Sequence, residues 1–384
     1  MSGQPIRYAM VGGGEGAFIG AVHRTAASIA GNWRLVAGAF SADPEKARRS
    51  GVASGVAPER AYGSYHEMLE RERALPDDVR IEAVSIVTPN HQHAPIAIAA
   101  MEAGFDVICD KPIADTLENA RAIEQAAVRT GRRVAITHTY AGYPLVKQAR
   151  SLVASGAFGP VRRVIAKYTQ DWLSRVEDVA GNKQAEWRTD PKRSGEGGAF
   201  GDIGTHAAHL VEYVTGERIV ALCAELNALP GRTLDDDGAA LLRMSGGGKG
   251  TLLASQVCVG DANDLALSVY CERASLHWRQ EQPNSLRIAR RDVPEEIWHA
   301  GANRPYLASG VRAVQRTPGG HPEGYLEAFA NIYAAFGAEL RREHRPNGER
   351  GYATIEEAMR SMLFVRACRR SNEQGSAWVD LTTI

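Results

Sequence analysis

With 384 residues, 44% hydrophobic and 23% charged, the chain exceeds what one core usually organises and has the composition of a two-domain soluble protein. Its 45 basic and 45 acidic residues cancel, so no net field recruits nucleic acid or an anionic membrane. The five cysteines, Cys109, Cys223, Cys258, Cys271 and Cys368, are odd in number, widely spaced and without a CxxC pair, which argues against a disulfide framework or a zinc ribbon and for a reducing compartment.

The first strand pattern covers residues 6–11. No basic stretch with an apolar run precedes it and no run of about 18 apolar residues occurs, so a cytoplasmic protein with no membrane partner is expected. A helix pattern follows at 21–30, a strand at 35–40 and a helix at 44–50. Further strands at 83–87, 107–109 and 133–137 are separated by helices at 94–103 and 117–130. Such alternation predicts a parallel, doubly wound sheet that binds ligands at the carboxyl ends of its strands. Beyond about residue 140 the texture changes to successive strands at 161–171, 219–226, 239–244, 250–257, 265–271 and 274–278, with glycine turns such as Ser245-Gly246-Gly247-Gly248. Helices at 323–342 and 354–371 close the chain. The expected fold class is α/β. A Rossmann dinucleotide-binding domain occupies 1–140, and 141–384 forms an α/β domain with an open, largely antiparallel sheet for substrate binding and oligomerisation.

Gly12-Gly13-Gly14 lies between the first strand and the first helix, where backbone without side chains approaches a pyrophosphate and a helix N-terminus offers N–H donors. A dinucleotide fingerprint has two residues between its second and third glycines, whereas five separate Gly14 from Gly20. The loop therefore reads as lengthened, with Glu15 to Ala17 as the inserted residues and Gly12, Gly14, Phe18, Ile19 and Gly20 as cofactor contacts. After the second strand an acid normally receives the adenosine ribose; Ser41 stands there instead, which favours NAD and leaves NADP open. The segment Thr88-Pro89-Asn90-His91-Gln92-His93 ends the next strand and is placed beneath the cofactor, with Thr88, Asn90 and His93 as contacts. With neither a third ligand nor a cysteine pair beside His91 and His93, no metal is expected.

Asp110-Lys111-Pro112 ends another parallel strand, which puts Asp110 and Lys111 at the edge where substrate meets nicotinamide. A lysine near a positive nicotinamide ring has its charge disfavoured and becomes a usable acid or hydrogen-bond partner. Further on, a glycine-rich stretch at 195–201 precedes a helix starting near Asp202, and Asp202, His206 and His209 recur on one face of it. The helix dipole keeps a histidine in the first turns neutral, the state a general base needs. A lysine and a histidine on one cofactor face orient a sugar hydroxyl and remove its proton while a hydride leaves the same carbon. His206 is read as the base and His209 as structural.

These motifs together resemble the Gfo/Idh/MocA family of nicotinamide-dependent carbohydrate oxidoreductases. The likeness runs from the glycine loop, with His23 in the helix behind it, through residues 88–93, Asp110-Lys111-Pro112 and Asp202 to His206, and on to Gly375-Ser376-Ala377-Trp378-Val379-Asp380-Leu381. It implies Lys111, Asp202 and His206 as the catalytic set: Lys111 holds and polarises the hydroxyl, His206 exchanges its proton and Asp202 positions the sugar. It also implies homodimers or homotetramers. The family usually has Glu-Lys-Pro where this chain has Asp110-Lys111-Pro112. Many members carry Asn or Arg where this chain has Thr139-Tyr140-Ala141-Gly142-Tyr143-Pro144, which leaves the sugar open.

Candidate substrate contacts are Tyr140, Gln170, Asp171, Trp172, Trp187, Arg188 and His321, because aromatic platforms beside amides and carboxylates hold pyranose rings. Lys167, Arg188, Lys192 and Arg193 fall in the same segments and suit an anionic substituent. Three readings stand. The first is a dehydrogenase acting on a pyranose or cyclitol. The second resembles the NAD-dependent glycosidases of this superfamily: C3 is oxidised transiently, elimination across C1 and C2 is followed by hydration, and the hydride returns. An anionic glycoside such as a sulfoquinovoside or uronide would be its substrate, with Tyr140 or Tyr143 as second base. The third is a sugar-sensing regulator, which the presence of both Lys111 and His206 disfavours. The first two need the same hydride-transfer residues, so sequence does not separate them.

Overall fold

The computed structural model describes residues 4–175, 183–343 and 350–384. The chain forms two compact units, Met1–Gly142 with Leu326–Met359, and Tyr143–Tyr325 with Arg360–Ile384.

In the first unit β1 (Ile6–Gly12), β2 (Trp33–Ala39), β3 (Ala83–Val87), β4 (Asp106–Cys109) and β5 (Val134–Ile136) make a parallel sheet in the order β2-β1-β3-β4-β5. Its strands are short apolar runs because helices cover both faces; every residue of β3 is buried. The chain turns one way from β1 to β2 and the other way to β3, so the switch point lies beside β1, directly after the glycine turn. Helices Phe18–Ala30, Pro44–Ala53, Tyr65–Arg73, His93–Glu102 and Leu117–Thr130 connect the strands. Leu117–Thr130 shows why its ends were legible: Thr116 Oγ1 accepts from the Asn119 amide at 3.1 Å, and Gly131 stops the helix in the left-handed region. Tyr65–Arg73 was not expected, because Met68 and Leu69 are its only buried apolar residues and, Tyr65 and His66 apart, the rest is charged. The helix Tyr325–Leu340 also packs in this unit. Its Tyr333 ring lies 5.3 Å from that of Trp33, whose Nε1 donates to the Tyr333 carbonyl at 2.8 Å. The sequence reading assigned that helix to the second domain, since a return of the chain after nearly two hundred residues leaves no local pattern.

The second unit is built on β6 (Val161–Thr169), β7 (Ile219–Asn227), β8 (Asp237–Met244), β9 (Lys249–Ser255), β10 (Asp264–Cys271), β11 (Ala274–Arg279), β12 (Ser285–Arg290), β13 (Glu296–His299) and β14 (Val379–Asp380). They run in the order β13-β12-β11-β10-β6-β9-β8-β7-β14, antiparallel except for the parallel pair β6 and β9. The strands alternate. In β8, Gly238, Ala240, Leu242 and Met244 are buried while Ala239, Leu241 and Arg243 are exposed. The helix Thr205–Thr215 packs against β6, β9 and β10. Among the described residues no helix is long and apolar enough to cross a membrane, and no group of three His, Cys, Asp or Glu is placed to hold a metal ion.

Candidate active site

The carboxyl ends of parallel β1 to β4 carry the glycine turn, Ser41, the Thr88 loop and the Lys111 turn along one edge of the first sheet. A Cβ on Gly12 would lie 2.8 Å from Thr88 Cγ2 and from the Val87 carbonyl oxygen, and one on Gly20 would lie 2.3 Å from Gly13 Cα. Gly20 thus gives the close helix-to-strand packing of a third fingerprint glycine in spite of the longer spacing. The extra residues bulge outward: Glu15 is exposed, and Gly16, at φ +79°, has open space where a side chain would be. Helix Phe18–Ala30 starts at Ala17 with no side-chain cap and no acid in its first turn, so its leading amides and positive dipole end are left for an anion. Phe18 is exposed and Ile19 half-buried.

Ser41 Oγ accepts from the Asp43 amide at 3.2 Å, while the Asp43 carboxylate caps the next helix by accepting from the Lys46 amide at 2.7 Å. The acid nearest the end of β2 is therefore used as a helix cap. Asn90 is buried at the start of the turn Asn90–Gln92. Among the described residues Thr88 Oγ1 and His91 Nδ1 are buried without a hydrogen-bond partner. His93 differs from expectation. Its Nδ1 lies 2.8 Å from the Pro112 carbonyl and its Nε2 2.8 Å from the Thr88 carbonyl, so the ring nitrogens face backbone rather than a cofactor. Burial pushes its pKa down, opposed first by the Asp110 carboxylate. Asp110 Oδ1 accepts from the Lys111 amide at 2.9 Å and from Thr137 Oγ1 at 2.8 Å. Thr137 carries no motif and was not foreseen. Tyr140 is buried in the turn Thr139–Gly142 after β5.

In the second unit the glycine-rich stretch is gripped by one residue. Asp235 accepts from the amides of Gly198 at 2.8 Å and Phe200 at 2.7 Å, and its carbonyl accepts from Ala199 at 2.7 Å. A Cβ on Gly198 would come within 2.0 Å of that carbonyl, which is why glycine stands there. Burial raises the Asp235 pKa. From this anchor the chain enters a π turn, Phe200–Gly204, before helix Thr205–Thr215; the sequence reading had a plain helix from Asp202.

Asp202 Oδ2 accepts from Gln256 Nε2 at 2.9 Å and pairs with Arg188 Nε at 3.3 Å. The Arg188 guanidinium lies 4.3 Å from the centre of the Trp187 ring and 5.9 Å from that of Trp172. Trp172 Nε1 donates to Gln170 Oε1 at 2.9 Å; Gln170 Nε2 and the Tyr168 hydroxyl both donate to Asn263 Oδ1, at 2.8 and 2.7 Å. His206 is buried, its ring centre 6.2 Å from that of Tyr168. Gln170, Trp172, Trp187, Arg188 and Asp202 are thus joined in one network. Asp171 turns instead to the Gly260 amide at 3.2 Å, and among the described residues the exposed His321 bonds within its own turn, to Pro318 and Thr317. Of the four basic candidates, Lys167 pairs with Asp264 at 2.5 Å and Asp261 at 3.5 Å, Arg188 pairs with Asp202, and Lys192 and Arg193 are exposed. Asp235, Gln256 and Asn263 were missed. Gln256, a lone amide inside the strand predicted at 250–257 and just past the end of β9, was the nearest to a signal.

A glycine turn at the switch point of a parallel sheet, joined in one chain to a mixed sheet carrying an Asp and a buried His on a helix, is the plan of a nicotinamide oxidoreductase. Residues 6–138 match the oxidoreductase family with an NAD-binding Rossmann fold, and residues 146–277 match the GFO/IDH/MocA C-terminal domain. The chain is 31% identical to the uncharacterized oxidoreductase YfiI of Bacillus subtilis, over 98% of this chain and 97% of the relative. Two solved structures of an inositol dehydrogenase homolog from Azotobacter vinelandii are also similar. The complex with NAD+ gives a TM-score of 0.91 at 35% identity, covering 98% of this chain and 97% of that one. The complex with NADH and myo-inositol gives 0.87 at 34% identity, covering 98% of each. The chain belongs to the Gfo/Idh/MocA family and is an oxidoreductase with an NAD-binding domain, within a family of NAD-dependent sugar and cyclitol dehydrogenases.

Proposed function

We propose that the protein oxidises a secondary hydroxyl on the ring of a neutral cyclitol or pyranose, with NAD as acceptor. The observation that carries this reading is the linked cluster around Asp202, set one turn ahead of the buried His206 on an anchored helix. The likeness to a homolog solved in complex with NADH and myo-inositol supports a polyol ring.

The glycine turn and the uncapped helix start fit the cofactor diphosphate, and Ser41 the adenosine ribose. Thr88 Oγ1, Asn90 and the Asp110 turn fit its nicotinamide end. Bound there, NAD supplies the acceptor for the hydride of the carbinol carbon. Lys111 donates a hydrogen bond to the reacting oxygen and offsets the negative charge that develops on it. His206 takes the hydroxyl proton at a ring nitrogen. Asp202, turned by Gln256 and Arg188, accepts from a neighbouring ring hydroxyl, while Trp172 and Trp187 offer apolar faces to the ring. The pairing of Lys167 and Arg188 with carboxylates supports a neutral substrate, since of the four basic candidates it leaves only the exposed Lys192 and Arg193 for an anionic substituent.

The test mixes the protein and NAD with cyclitols, free pyranoses, uronides and aryl glycosides, following reduced cofactor and released phenol together. The expected result is NADH without phenol, fastest on a neutral ring. Phenol released with no accumulation of NADH would replace this reading by the glycosidase, and a strong preference for uronides would remove the neutral substrate. Lys111→Ala and His206→Ala should each lower turnover at least about a hundredfold while NAD stays bound. Near-normal turnover in either variant removes that residue from its role.

A further inference from the structure

His93 opens the helix His93–Glu102 with its ring wholly buried. The carbonyls it faces belong to different loops: Thr88 follows β3, and Pro112 directly follows Lys111 after β4. The two strands are in register from Ala83 with Asp106 to Ile86 with Cys109, and the last ladder bond is from the Asp110 amide to the Ile86 carbonyl at 3.0 Å. Past that point the strands splay into loops, and at 2.8 Å on either side the imidazole spans the gap that the ladder no longer closes. A carbonyl offers lone pairs only, so each such contact needs an N–H on the ring. A neutral imidazole supplies one and an imidazolium two, with burial opposing the second proton and Asp110 favouring it.

We infer that His93 is a positioning residue for Lys111: its ring ties the turn after β4 to the loop after β3 and so fixes where the ammonium is presented to the substrate. The inference rests on the role proposed for Lys111 above. His93 acts through backbone at both ends, and a displacement of about 1 Å in a reacting group is enough for a loss near a hundredfold.

The test is a cycle of four full-length proteins: the parent chain, His93→Gln, Lys111→Ala and the double variant. Each is measured for kcat on the fastest substrate of the panel, for NAD affinity by titration and for thermal unfolding. His93→Asn replaces His93→Gln throughout should the latter not fold. The expected result is a drop in kcat of about ten- to a hundredfold in His93→Gln, with NAD affinity within about twofold, and almost no further drop when the same change is made in Lys111→Ala. Losses that multiply in the double variant overturn the inference, since His93 would then act on the fold at large. Unchanged kcat in His93→Gln overturns it, as does NAD affinity falling in parallel with kcat. If Lys111→Ala turns over normally, the role of Lys111 falls and the inference with it; multiplied losses beside a slowed but measurable Lys111→Ala overturn the inference alone.

Discussion

His23 shows how far one side chain's surroundings decide its chemistry. It lies on helix Phe18–Ala30 behind the glycine turn, wholly buried, with Nδ1 2.8 Å from the Tyr333 hydroxyl and the Phe329 ring 4.6 Å away. Tyr333 in turn lies 3.0 Å from Ser85 Oγ. Burial pushes the pKa of His23 from 6.5 down to about 4, so the ring is neutral in the folded protein. Once the chain unfolds, the ring regains its ordinary affinity and binds more protons between pH 6.5 and 4. The stability that neutral His23 contributes is therefore complete above about pH 6.5 and lost as pH falls toward 4, at most about 3 kcal/mol. In His23→Asn, which keeps a polar partner for Tyr333, the unfolding temperature should fall less between pH 7 and pH 4.5 than it does in the parent chain. Parallel declines would place the acid sensitivity elsewhere. In the sequence His23, His93 and His206 look alike. One is the buried partner of a tyrosine hydroxyl and one a bridge between carbonyls, while the third is the candidate base, and burial and partner alone sort them.

The glycine-rich stretch before helix Thr205–Thr215 is positioned from outside itself. Without the Asp235 carboxylate the amides of Gly198 and Phe200 lose their acceptors, at a cost of about 1–3 kcal/mol. The π turn bearing Asp202 then loses its fixed start. Asp235→Ala should lower both the unfolding temperature and turnover, and leave NAD affinity, a property of the first unit, unchanged. Gly198→Ala, whose Cβ would meet backbone at 2.0 Å, should do the same. Normal turnover in both variants would show that the anchor does not set the site.

This division between local and borrowed positioning also explains what the sequence disclosed. The glycine turn, the Lys111 turn and the Asp202 to His206 spacing are each written within a few consecutive residues. The capped helix Leu117–Thr130 and the alternating strands are written the same way. Asp235, Gln256 and Thr137 stand just outside strand ends and meet their partners through tertiary packing, which no local pattern carries. Strands β12 and β13, at one end of the sheet, passed unnoticed because few of their residues are buried. Pro144–Ala154 was overlooked although Pro144 stands at its first turn, where proline marks a helix start.

At the scale of the molecule, the nine-stranded sheet leaves one face uncovered within its own unit. Strand register aligns Cys223, Leu241, Thr251, Ile165, Ser268, His277, Arg287 and Ile297 in one row across eight strands, from β7 to β13. No member of that row is buried, and Leu241 is 50%, Ile165 42% and Ile297 59% exposed, beside the row's polar residues. At about 4.8 Å per strand the row spans about 34 Å, enough for the roughly 800 Å² per partner that a stable interface buries. Apolar side chains scattered over a broad flat face, with serine, threonine and histidine between them, suit a second copy of the same face better than bulk water. We expect homodimers or homotetramers built sheet on sheet. Ile165→Glu, in the central strand of the row, places a charge where two copies meet and should shift the protein toward monomer in sedimentation at micromolar concentration. Its far-ultraviolet circular dichroism should stay unchanged, because the side chain points away from the unit's own core. A parent chain that sediments as a monomer under the same conditions, or an Ile165→Glu variant that assembles as the parent does, would place the contact elsewhere or remove it.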